Sequence, residues 1–120
     1  MTFDWKEFLK VAKFLRNYKE SDITEAAVLR CAVSRAYYAA FCYTRNYARD
    51  YLGFIPKHEA KDHTLLRQIL RSKNKTAVAS FLDDLRRWRN NCDYDDNVDN
   101  INILADSALK KALNVFEKVK

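Results

Sequence analysis

LRCAVSRAYYAAFCYTRNYARDYLGF, residues Leu29 to Phe54, carries apolar or small side chains on nearly every side of its helical projection. Cys31, Ala32, Val33, Ala36, Tyr37, Ala39, Ala40, Phe41, Tyr43, Tyr47, Ala48, Tyr51 and Leu52 contribute to it. A helix that is apolar all round is buried among other elements rather than laid on a surface. Traced back to Ile23, it runs about 30 residues, or about 45 Å at the usual rise. The flanking segments are shorter and one-sided, so they are expected to pack around it.

Upstream, residues Phe3 to Lys19 place Trp5, Phe8, Leu9, Ala12, Leu15 and Tyr18 at three- and four-residue steps, which predicts a first amphipathic helix. Asp22 followed by Glu25 reads as the start signal of the long helix, because carboxylates accept from exposed backbone N–H groups there. Downstream, Gly53 tolerates the left-handed conformation that ends a helix, and Pro56 prevents continuation. A third helix is expected over Asp62–Arg71, with Leu65, Leu66, Ile69 and Leu70 inward, then a turn at Ser72–Lys75. A fourth is expected over Thr76–Cys92, with Val78, Phe81, Leu82, Leu85, Trp88 and Cys92 as its inner stripe. Asp83 and Arg87 have the spacing of a solvent-side ion pair. The run DYDDNVDN, Asp93 to Asn100, is rich in turn formers and N-caps and predicts a break. The last helix repeats Val98, Ile101, Ala105, Ala108, Ala112, Phe116 and Val119 in a steady rhythm.

The chain has 120 residues, a single-domain length, and at 48% hydrophobic with 7 Phe, 7 Tyr and 2 Trp it can build a core. One Gly and one Pro are too few turn residues for tight hairpins, and no segment alternates apolar and polar residues. The fold class is therefore all-α, an up-and-down helical bundle of four to five helices. Cys31, Cys42 and Cys92 lack metal-ligand spacing and read as small core residues of a reduced, cytoplasmic protein. No signal-peptide segment and no long uncharged apolar run is present, so neither secretion nor a membrane partner is expected.

The net charge of +6 is uneven. Residues 1–75 hold 15 Lys and Arg against 8 Asp and Glu, whereas residues 76–99 hold 3 against 6. A basic body with one acidic strip suits an acidic partner such as RNA, and equally suits a lysine-rich solvated surface.

One passage gathers chemistry: Arg86-Arg87-Trp88-Arg89-Asn90-Asn91-Cys92-Asp93-Tyr94. Three guanidinium groups and two carboxamides crowd one helix end, followed by a phenol and the acids Asp93, Asp95, Asp96 and Asp99. Part of this is capping, since cations are favoured at a helix C-terminus. Arg89 lies four residues after Leu85, beside the buried stripe, and is expected to face a partner, a cleft or an acidic group. Arg35, Tyr38, Arg45 and Arg49 on the long helix are candidates to line the same cleft, against a reading as core tyrosines and snorkelling arginines. Trp88 reads as packing, and the acids as a helix-capping loop, since they lack the glycine and distal Glu of a calcium loop.

SRAYYAAFCY in the long helix, paired with RRWRNNCDYDD after the fourth, resembles the HEPN domain, a small prokaryotic helical bundle. Its two-gene relatives read approximately AYYAAFH early and R-x-x-A-D-Y late, and the resemblance covers nearly the whole chain, with His63 between the motifs. It implies a bundle that forms a homodimer, with Arg89 near the interface. It also implies the toxin-like, RNA-directed half of a toxin–antitoxin-like pair whose partner is a minimal nucleotidyltransferase. The best-known members are metal-independent endoribonucleases with an Arg-x(4–6)-His motif, so no cofactor or metal is expected. By resemblance Arg89, Asn90 and Tyr94 are the candidate catalytic positions. Arg35, Arg45, Arg86 and Arg87 are the candidate RNA- or nucleotide-binding residues, and Tyr94 is the candidate acceptor of AMP from the partner enzyme.

The chain departs from that motif at one position. Arg89-Asn90 matches the Arg-Asn start, but the expected histidine is Tyr94, and a phenol of pKa ~10 is a poor general base at neutral pH. This counts against ribonuclease activity and keeps a second reading open, a non-catalytic dimerisation or adaptor module with the Arg/Asp cluster as structural glue. His63, at a helix start, reads as a structural or capping residue. Tyr94 itself reads as a structural phenol whose hydroxyl bonds a neighbour, against the alternative of a reactive or modified group.

Overall fold

Among the described residues the apolar periodicity closes into five helices: α1 (Lys6–Asn17), α2 (Glu25–Tyr51), α3 (Asp62–Ser72), α4 (Thr76–Tyr94) and α5 (Ile101–Lys118). The computed structural model describes residues 2–20 and 22–120, and among these no strand occurs, only an isolated bridge between Glu20 and Ile23. The fold is an all-α bundle with a Cα radius of gyration of 14.4 Å. Among the described residues no helix is long and apolar enough to cross a membrane.

α2 is the axis of the bundle and touches each of the other four helices. Leu29, Ala32, Val33, Ala36, Tyr37, Ala39, Ala40 and Ala48 on it are all at most 1% exposed. The many alanines let neighbouring backbones approach closely, and α5 answers with Ala105, Ala108 and Ala112, all fully buried. Larger side chains, Leu66 and Leu70 of α3 and Leu82 and Leu85 of α4, fill the remaining volume. Each such burial contributes about 1.5–3 kcal/mol relative to exposure.

The helix ends differ from expectation in instructive ways. α1 begins at Lys6 rather than Phe3, and the Asp4 side chain accepts from the Lys6 N–H at 3.0 Å. α2 is capped by Thr24, whose hydroxyl oxygen accepts from the Ala27 N–H at 3.2 Å, and not by Asp22. Gly53 takes φ +75°, as its position at the helix end requires, and turns the chain so that the Phe54 N–H reaches the Ala48 carbonyl. The linker that follows is held by buried Asp62, whose carboxylate accepts from the Lys57 and His58 N–H groups. α4 continues two residues beyond Cys92, so Asp93 and Tyr94 are its last turn and not part of the break.

Two side-chain expectations are corrected. Cys42 and Cys92 are buried, but Cys31 is exposed. It lies about 200° around the helix from Leu29, away from the stripe formed by Leu29, Ala32, Val33 and Ala36. Asp83 and Arg87 do not pair. Arg87 reaches Asp84 at 3.1 Å, while Asp83 faces Arg67 of α3 at 3.6 Å. Asp84 also receives Lys111 of α5 at 2.8 Å, so this carboxylate ties α4 to α5, and the Lys111 hydrogen bond holds it below the usual carboxylate range.

Candidate functional site: an arginine cluster around a neutral histidine

Arg86 and Arg89 lie one turn apart on α4, on the side of that helix facing α2 and the start of α3. Arg89 lies over the Tyr38 ring of α2, and the charges of Arg86, Arg89 and Arg67 of α3 all act on Tyr37 and His63. Burial first, then the positive charges of Arg86, Arg89 and Arg67, lower His63 to about 4. Its ring is half-buried and stacks on Phe41 with centroids 4.1 Å apart and planes 15° apart. His63 Nδ1 is hydrogen-bonded to the Tyr37 hydroxyl. Tyr37 is 1% exposed, and burial pushes its phenol well above its ordinary value. With the phenol protonated and the imidazole neutral, Tyr37 donates and Nδ1 accepts, which leaves the proton on Nε2. His63 does not cap α3, whose start has no side-chain cap hydrogen bond, and its ring belongs to the arginine cluster.

Arg89 is the most engaged of the cluster. Its Nη1 donates to Asn90 Oδ1 at 2.8 Å, and its Nε stands 2.8 Å from Asp93 Oδ2 in an ionic contact that lacks hydrogen-bond alignment. The guanidinium also lies 5.1 Å from the Tyr38 ring and 5.7 Å from the Tyr94 ring. Arg35 also sits 5.3 Å from the Tyr38 ring, and 5.0 Å from Phe8. Phe8, Arg35, Tyr38, Arg89 and Tyr94 therefore alternate as a ladder of rings and cations from α1 across α2 to α4. Each rung is worth about 0.5–1 kcal/mol where exposed.

Beside the ladder, Arg67, Asp83, Arg86, Arg87, Asn90 and Asn91 line a groove of about 400 Å³. The Nε groups of Arg86 and Arg89 are buried without a hydrogen-bond partner among the described residues. Planar guanidinium forks and carboxamides are the donor set that recognises phosphate oxygens. Asp83 stands 3.6 Å from the largely buried Arg67, and Asp84 is 3.1 Å from the exposed Arg87.

The structure brings together some of the candidate residues and separates others. Arg86, Arg87 and Asn90 line the groove, Arg89 is tied to it only through its hydrogen bond to Asn90, and Arg35 is linked to Arg89 through Tyr38. Arg45 is not in this set: it rests 5.5 Å over the Trp5 ring and donates to Asn46, about 15 Å further along α2 than Arg35. Arg49 is likewise engaged by Asp50 on the outer surface. Tyr94 is 73% exposed, and among the described residues its hydroxyl takes no hydrogen bond, so the expectation of a phenol bonded to a neighbour is not met. Trp88 packs at the edge of the core with Lys111 over its ring.

Two residues that sequence reading passed over organise the site. Arg67 belongs to a helix whose inward leucines drew attention away from it, and its i+4 spacing from His63 was the available signal. Arg30 of α2 donates to the carbonyls of Cys92 at 3.0 Å, Asp95 at 2.6 Å and Asp96 at 3.0 Å. It thereby closes the C-terminus of α4, and no local pattern announces that role. No protein-family model, curated protein or solved structure matches the chain.

Proposed function

We propose that this chain is an HEPN-like, RNA-directed protein that holds the phosphate backbone of RNA in the groove of Arg67, Arg86, Arg87, Asn90 and Asn91. The observation that carries the reading is the convergence of three arginines from two helices around one neutral imidazole. Acids reach two of the three, Asp83 beside Arg67 and Asp93 beside Arg89, while Arg86 keeps a buried Nε without a partner among the described residues, a donor that an anion would complete. On this reading the protein is the toxin-like member of a two-gene pair with a minimal nucleotidyltransferase, acts as a homodimer with Arg89 near the interface, and presents Tyr94 as the acceptor of AMP. The exposure of that phenol supports the last point.

The proposed action is binding and positioning rather than cleavage. His63 stands in the cluster, yet at about 4 its imidazole is a weak base at neutral pH, and its Nδ1 is already occupied by Tyr37. The adaptor reading draws on a different observation, the engagement of Arg89 by Asp93, Asn90, Tyr38 and Tyr94, which leaves that one side chain as structural glue.

The test is filter binding of a labelled single-stranded RNA by wild type, Arg67→Ala/Arg86→Ala and Arg89→Ala, alongside induced expression scored for growth and RNA integrity. Wild type is expected to bind with strong salt dependence and the double variant about tenfold more weakly. Equal affinity of all three proteins refutes the groove, and RNA fragmentation lost in His63→Ala refutes binding without cleavage.

A further inference from the structure

A second furrow lies far from the arginine cluster, between α1 and α5. Arg16 of α1 and Asp106 of α5 are joined by two hydrogen bonds, of 2.6 and 3.2 Å, which pins the C-terminal half of one helix to the N-terminal half of the other. The two helices are thus antiparallel. Both pack mainly on α2 and touch each other only lightly, so beyond that pin a gap of about 320 Å³ remains. Its floor is Leu9, Leu113 and Phe116, and its rim is Lys6, Lys10, Lys13 and Lys120 against the single acid Glu117. Phe116 is fixed from below by the Tyr43 ring at 4.6 Å, and Leu113 is 41% exposed.

We infer that this furrow seats an acidic amphipathic helix of a partner protein. The residues from Lys6 to Lys13 on one side and from Leu113 to Lys120 on the other each span about two helical turns, roughly 10 Å. That length matches the apolar stripe of a helix with anchors at i, i+3 or i+4, and i+7, the spacing by which a helix fills a groove. The lysines flank the apolar floor, so the partner's stripe must be bordered by carboxylates. Glu7 engages only Lys10, at 3.1 Å and at exposed positions, which leaves the rim strongly positive. None of the five helices of this chain carries an excess of Asp and Glu over Lys and Arg, so a second copy does not supply the complement. The inference is independent of the RNA groove, whose residues lie on α3 and α4.

The test is an amide and methyl NMR titration of the full chain with the synthetic peptide acetyl-LEELLEELLEEL-amide. Two controls accompany it, the same peptide with Lys for Glu, and an oligoglutamate of equal charge. The leucine–glutamate peptide is expected to shift Leu9, Leu113 and Phe116 signals, while neither control does. Lys10→Glu/Lys13→Glu is expected to weaken binding about tenfold, and Leu113→Glu comparably, both at surface positions that leave the fold intact. The inference is overturned by absence of shifts at about 1 mM peptide. It is equally overturned if the shifts centre on Arg67 and Arg86, if the oligoglutamate binds as well, or if the charge-reversal variant binds unchanged.

Discussion

Replacing Arg30 by Ala removes the clamp that closes α4. Arg30 donates three hydrogen bonds to main-chain carbonyls, one half-buried at Cys92 and two exposed at Asp95 and Asp96. A hydrogen bond from a charged donor contributes about 1.5 kcal/mol at a partly buried carbonyl, and an exposed one about 0.3–0.5 kcal/mol because water replaces it. The Cys92 carbonyl is one of the unpaired groups at the end of the helix, so its loss of a partner is not repaired within α4. The sum is about 2 kcal/mol. For a chain of this size 1 kcal/mol corresponds to about 4 °C, so Tm is expected to fall by about 8 °C in Arg30→Ala. Differential scanning calorimetry measures it, with Arg30→Lys as the control that keeps the charge but not the fork. Lysine is expected to recover less than half of the loss, because a single ammonium cannot reach all three carbonyls. A fall below about 2 °C in the alanine variant would refute the reasoning, and so would full recovery by lysine.

Leu85 is fully buried in α4, and Leu85→Ala is expected to cost about 2–5 kcal/mol in chemical denaturation without altering the helix content of the folded state. The folded His63 pKa lies near 4, below the unfolded value near 6.5, so the unfolded state takes up the proton first as pH falls. Stability is therefore expected to be complete above about pH 6.5 and to decline toward pH 4, with urea midpoints of His63→Gln flatter across that window. Tyr94→Phe is expected to leave Tm within about 1 °C. On the proposed pairing, after co-expression with a minimal nucleotidyltransferase the wild-type protein should gain one AMP mass in intact-mass spectrometry, absent in the phenylalanine variant; an unmodified wild type removes the acceptor role.

What the sequence determined by itself is the set of helices and the rank among them. Helical period is a local property, so the near all-round apolarity of Leu29–Leu52 marks the central helix, although Cys31 and Tyr51 on it are exposed, and the one-sided stripes elsewhere reveal helices that pack around it. Gly53 marks the stop because only the local backbone is at issue. The passage from Arg86 to Tyr94 also stood out, since residues close in sequence on one helix stay close in space. What the tertiary structure decided is which faces meet. The period fixes which residues share a side of a helix, but not which neighbour that side confronts. Hence Arg67 and His63 of α3 join Arg86 and Arg89 of α4 without any shared motif. Arg30 closes a helix more than 60 residues away. Cys31 is exposed although Leu29, Ala32 and Val33 beside it are buried, because the packing of helices around α2 leaves one strip uncovered there. Arg45 carries the same charge as Arg35 on the same helix, yet packs against Trp5 away from the cluster, since position along α2 determines which neighbour it meets.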